Sequence, residues 1–107
     1  MVLKYNVEID NAVIANRLKQ LINLTYKLLP IREEQGEWES LLSTIVTEIA
    51  GMNELLPVEY QDIIFPLLCK LEGLFKLTFE EDFFEFRRVI FECLNMMGKV
   101  RDNVTNQ

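Results

Sequence analysis

Histidine is absent from this chain, glycine occurs four times, proline three times and cysteine twice. Each scarcity removes a class of function. Without an imidazole, the commonest general base, metal ligand and near-neutral pH switch are all missing. The glycines stand alone at Gly36, Gly51, Gly73 and Gly98, so no glycine-rich loop cradles a phosphate. Cys69 and Cys93 cannot close a zinc site without histidine help. Set among apolar residues at helical spacing, they read as buried, reduced thiols. Ser40 and Ser43 have no base partner that the sequence identifies. Basic residues are also short, eleven Lys+Arg against seventeen Asp+Glu for a net charge of −6. That balance argues against direct nucleic-acid binding, which needs clustered cations. The only adjacent basic pair, Arg87-Arg88, is expected on a solvated edge, pairing locally with Glu80, Glu81, Asp82 or Glu92.

Long apolar runs are missing too. The longest, residues 63–69, contains Pro66 and falls far short of a membrane span. The opening MVLKYNVEIDN lacks the apolar stretch of a signal peptide. The expectation is a soluble, cytoplasmic protein with no membrane partner.

Against these absences stands a hydrophobic content of 50% in 107 residues, enough for one domain with its own core. Residues 3–10 alternate: Leu3, Tyr5, Val7 and Ile9 apolar, Lys4, Asn6, Glu8 and Asp10 polar. Period two suggests an extended arm over residues 1–10. A first helix is expected over residues 11–29, with Asp10 as N-cap, a stripe through Ile14, Leu18, Leu21, Ile22, Leu28 and Leu29, and a stop at Pro30. Helices over 37–51, with Trp38 in the core, and over 58–72, kinked or broken at Pro66, follow. The last is expected over 79–100, opened by a capping box of Thr78 and Glu81 and followed by a frayed polar tail. The fold class is therefore all-α: an antiparallel four-helix bundle with an extended N-terminal arm.

Six of the seven phenylalanines fall within residues 75–97. A stripe through Phe83, Phe86, Ile90, Cys93, Leu94 and Met97 accounts for one core face. Phe84 and Phe91, a heptad apart, are surplus to it. Either the arm, through Leu3, Tyr5 and Val7, covers them, or a partner does. These five residues are the candidate interaction surface of a non-catalytic protein that binds itself and another protein.

The carboxylates offer an enzymatic alternative. Glu33, Glu34 and Glu37 spell E-E-x-x-E, and Glu59 and Asp62 spell E-x-x-D. This resembles the metal-binding signature of the all-α nucleotide pyrophosphohydrolases of the MazG and dimeric dUTPase type. The resemblance implies Mg²⁺ held by these five carboxylates against a nucleoside triphosphate. The same residues also suit the positive start of a helix, as do Glu80, Glu81, Asp82 and Glu85. A third reading makes the acidic surface a DNA mimic that blocks a nucleic-acid-binding enzyme. Residues 26–97 as a whole, with KLLPIREEQGEWESLLSTIVTEIAGMNELL, LLCKLEGL and FRRVIFECLNMM, resemble small acidic helical proteins of phages and prophages of Gram-positive bacteria. That resemblance implies an accessory protein, without cofactor, working in the host cytoplasm.

Overall fold

A computed structural model of the chain describes residues 1–106. Four helices dominate it: α1 (Asn11–Glu33), α2 (Trp38–Leu55), α3 (Gln61–Gly73) and α4 (Phe83–Thr105). Each packs on its neighbours in sequence, and α4 closes the ring by packing most extensively on α1. Asn11, at the start of α1, donates to the Val104 carbonyl at the end of α4 (3.1 Å), so these two helices are antiparallel. The result is the expected up-down bundle, drawn out to 45 × 20 × 20 Å. Among the described residues, no helix is long and apolar enough to cross a membrane.

The core follows the helical periods. Ile14, Leu18, Leu21, Thr25 and Leu28 of α1 face Phe86, Ile90, Cys93, Leu94 and Met97 of α4 around one apolar centre. Leu42, Ile45 and Ile49 of α2, with Ile64, Leu67 and Leu71 of α3, supply the other half. Thr25 is tolerated there because its hydroxyl donates to the Leu21 carbonyl at 2.7 Å, leaving no orphaned polar group. Trp38 is buried, as expected, with its ring edge-on to Phe86 at 5.2 Å.

Several expected boundaries move. The helix α1 does not stop at Pro30 but continues to Glu33. Pro30 lacks a donor for the preceding turn, yet Leu28 and Arg32 on either side of it are both buried, and that packing outweighs the lost bond. The same holds at Pro66, where α3 runs on between buried Ile64 and Leu67. Gly51 does not end α2, which continues to Leu55. The capping box is displaced by one residue: Asp82, not Glu81, accepts from the backbone of Phe79, not Thr78, at 3.3 Å. A 3₁₀ turn, Glu80–Asp82, then leads into α4. Residues 101–105 are not frayed, because α4 runs to Thr105 with Val100 and Val104 buried.

The N-terminal arm is not extended. Val2 pairs antiparallel with Glu8, Leu3 donates to Val7 (2.7 Å) and Ile9 to Met1 (2.9 Å). Tyr5 and Asn6, both left-handed at φ 68° and 60°, reverse the chain between them. Alternation of apolar and polar residues is as compatible with a doubled-back segment as with a straight one, and the turn needs no glycine when asparagine shares it.

Where α1 meets α2 the chain makes a Schellman turn. Gly36 donates to the Ile31 carbonyl (2.8 Å) and Gln35 to that of Arg32 (3.0 Å). Gln35 takes the left-handed conformation, φ 59°. Gly36 leaves little room for a side chain, since a Cβ there would meet the Ile31 side chain at 3.1 Å and its carbonyl at 3.3 Å.

Candidate functional site

Phe84, on the outer face of α4, is the most exposed aromatic residue on the four α-helices. Because Phe86, Ile90, Cys93 and Met97 point inward, 100° per residue carries Phe84, Arg88 and Phe91 outward. Phe84 is 83% exposed and Phe91 40%. Phe91 is partly sheltered by the edge of Tyr26 from α1, 6.4 Å between ring centres. The Arg87 guanidinium stands 5.5 Å over its face, a cation–π arrangement. Phe84, Arg87, Arg88 and Phe91 outline a shallow groove of about 280 Å³.

The charges along this face are unevenly satisfied. Arg88 bridges Glu85, with Nε to Oε2 at 3.0 Å, and Glu92. Lys70 of α3 also donates to Glu92 at 2.7 Å. Hydrogen bonding to Arg88 holds the Glu85 carboxyl below its ordinary range, and bonding to Lys70 does the same for Glu92. Both pairs raise Arg88. Arg87 takes part in no ion pair among the described residues.

The other candidates lie elsewhere. Leu3 is buried at the core's edge, whereas Tyr5 (81% exposed) and Val7 face solvent. Lys4 fastens their hairpin to the Asn53 carbonyl near the end of α2 (3.2 Å). The hairpin leads directly into Asn11, which is bonded to Val104. Phe91 lies about 20 Å from Val104 along α4 at 1.5 Å per residue. The arm therefore does not cover Phe84 and Phe91, and the expected link between the two groups fails.

The five carboxylates of the magnesium reading are separated by the connectivity. Glu33 ends α1, Glu34 follows it and Glu37 precedes α2. Glu59 lies in a 3₁₀ turn, Val58–Tyr60, and Asp62 in the first turn of α3, both beyond the far end of α2. Eighteen residues of α2 hold the two sets about 27 Å apart. Among the described residues no three His, Cys, Asp or Glu side chains gather where they could hold a metal ion. These residues do not fit a shared Mg²⁺ site.

Arg32 is the feature that sequence reasoning missed. It is 7% exposed, and its guanidinium lies 4.6 Å from the Phe86 ring centre, 5.2 Å from Trp38 and 6.0 Å from Phe83. One terminal nitrogen donates to the carbonyls of Leu77 and Phe79, the latter at 2.9 Å. It thus ties the crossover before α4 onto the end of α1, beneath a cleft of about 520 Å³ whose rim includes Glu33, Glu39 and Glu80. The signal was present: the buried stripe at 14, 18, 21, 25 and 28 reaches 32 at its next step.

Cys69 is exposed and Cys93 buried, and both are free thiols. Burial pushes the Cys93 thiol up from an ordinary 9.0 to about 12, which makes it an inert packing group. Cys69 departs from the expected burial. Compared with protein-family models, curated proteins and solved structures, the chain matches none.

Proposed function

We propose that this chain is a non-catalytic protein-interaction domain that associates with itself and with a bacterial protein, as an accessory factor of phage or prophage origin acting in the host cytoplasm. The observation that carries the reading is the outward Phe84, with Phe91 beside it, on an otherwise regular amphipathic helix. Large aromatics are concentrated at interface anchors, and contiguous exposed apolar surface marks contact sites. The phage origin rests on the sequence resemblance over residues 26–97.

Light scattering after size exclusion tests self-association, and capture from a Gram-positive lysate tests the partner. Wild type should elute above the monomer mass and retain a protein that Phe84→Ser releases. A clean monomer that binds no ANS, with capture indifferent to Phe84→Ser, would overturn the reading.

A further inference from the structure

The exposed residues entering α4 carry a self-complementary charge order. Glu80 and Glu81 precede Phe84 by four and three residues, and Arg87 and Arg88 follow it by three and four. All five are exposed, and the 3₁₀ turn holding the two glutamates runs straight into α4. Neither Glu80 nor Glu81 takes part in an ion pair among the described residues, and Arg87 has only the Phe91 ring. One end of the segment therefore carries two carboxylates outside any ion pair and the other a guanidinium outside any ion pair, among the described residues.

Resting on the self-association proposed above, we infer that a second copy of this chain is the occupant of the α4 face, crossing antiparallel with the two-fold axis at Phe84. A two-fold pairing is isologous, so levels before the axis meet the partner's levels after it on the same flank. At 100° per residue, Glu80 and Arg87 share one flank of Phe84, while Glu81 and Arg88 share the other. Phe84 meets its own copy, Glu80 faces the partner's Arg87, and Glu81 lies opposite the partner's Arg88, whose charge Glu85 and Glu92 already offset. The alternative antiparallel register, which would lay Phe84 on the partner's Phe91, has its axis between residues 87 and 88. It would set Arg87 against the partner's Arg87 on one flank and Arg88, whose charge Glu85 and Glu92 already offset, against the partner's Arg88 on the other. It would also leave Glu80 and Glu81 with no cation opposite, so charge favours the register centred on Phe84. A face one helix wide is at the small end of specific interfaces, so association in the micromolar range is expected.

Sedimentation equilibrium on the full chain, up to about 200 µM for an interface of this class, tests the register. Glu80→Arg and Arg87→Glu should each weaken the dimer about tenfold or more, since each symmetric dimer loses two pairs. The double variant, which restores complementarity with the signs exchanged, should recover wild-type strength within about threefold. In a Cys69→Ser background, Phe84→Cys should form an intermolecular disulfide under mild oxidation, because a residue on the axis is nearest to itself. Circular dichroism checks that each variant keeps its helices. A dimer indifferent to both charge reversals, or one the double variant fails to rescue, overturns this register while leaving self-association standing. A chain that stays monomeric at the highest concentration overturns both.

Discussion

The guanidinium carbon of Arg32 lies 4.6 Å from the centre of the Phe86 ring, and among the described residues Arg32 takes part in no ion pair. The charge is balanced instead by three aromatic rings and two backbone carbonyls. Such an arrangement depends on a flat group that stacks and donates together, which lysine's point charge cannot reproduce. Arg32→Lys, which keeps the charge but not the flat fork, should cost about half as much as Arg32→Met. Arg32→Met should cost about 2 kcal/mol, since two carbonyls lose their donor and the rings lose their cation. For a domain of this size that lowers Tm by about 10 °C. Thermal melts at neutral pH measure it, and an unchanged Tm would mean that the crossover is held by other contacts.

Phe84 and Phe86 are two residues apart and face opposite ways, one 83% exposed and the other fully buried. Phe86→Ala should cost about 3–5 kcal/mol, the ordinary range for emptying an aromatic core position. Phe84→Ala should change the stability of the monomer by no more than about 0.5 kcal/mol. Urea titration at low protein concentration separates them, because self-association would otherwise add its own stabilisation to the wild type.

How much of this was legible in the sequence depends on which signal dominated locally. The stripe from Phe86 to Met97 is period-3.6 throughout, and the surplus status of Phe84 and Phe91 follows from it directly. Arg32 and Val104 sit on the same kind of stripe but were hidden by composition: one behind Pro30, the other within the polar RDNVTNQ. In both places tertiary burial outweighs a local stop signal. The hairpin at Tyr5 and Asn6 was hidden differently. Period two gives the character of a segment without saying where it turns, and neither residue is a glycine. The dispersal of Glu33, Glu34, Glu37, Glu59 and Asp62 follows from chain reversal at Gly36 and Pro57, which spacing along the sequence does not encode.

The two prolines inside helices make a prediction about what the fold tolerates. Pro30 and Pro66 each deprive the preceding turn of one backbone donor, while the helices continue past them. Alanine at either position restores the bond and removes the steric conflict, partly offset by a more flexible unfolded chain. Pro30→Ala and Pro66→Ala should each stabilise the protein by about 1 kcal/mol. A loss instead would mean that the proline ring itself packs against a neighbouring helix.

At the α1–α2 turn the side chain and the conformation are mismatched. Gln35 holds φ 59°, while the glycine one residue later is there for space. Gln35→Gly should stabilise the protein by about 0.5–1 kcal/mol by relieving the left-handed residue. Gly36→Ala should destabilise it, because the new methyl would press on Ile31. Chemical denaturation of the two single variants gives opposite shifts of the midpoint.

Cys93 offers a chemical test of core packing. Its thiol, buried against apolar neighbours, is pushed up to about 12, whereas Cys69 is open to solvent. Iodoacetamide at pH 8 should therefore modify Cys69 alone in the folded protein and both cysteines in denaturant, read by mass. The same shift fixes the sign of a pH effect. Below the ordinary thiol pKa near 9.0 both states keep the proton, and the contribution of Cys93 is fully present. As pH rises from there towards 12, the unfolded chain ionises and the folded one does not, so stability falls through that window. The informative quantity is the difference from Cys93→Ala, whose stability should decline less steeply over this window. Equal slopes for the two proteins, or a second modified cysteine at pH 8, would show that water reaches the centre of the α1–α4 interface.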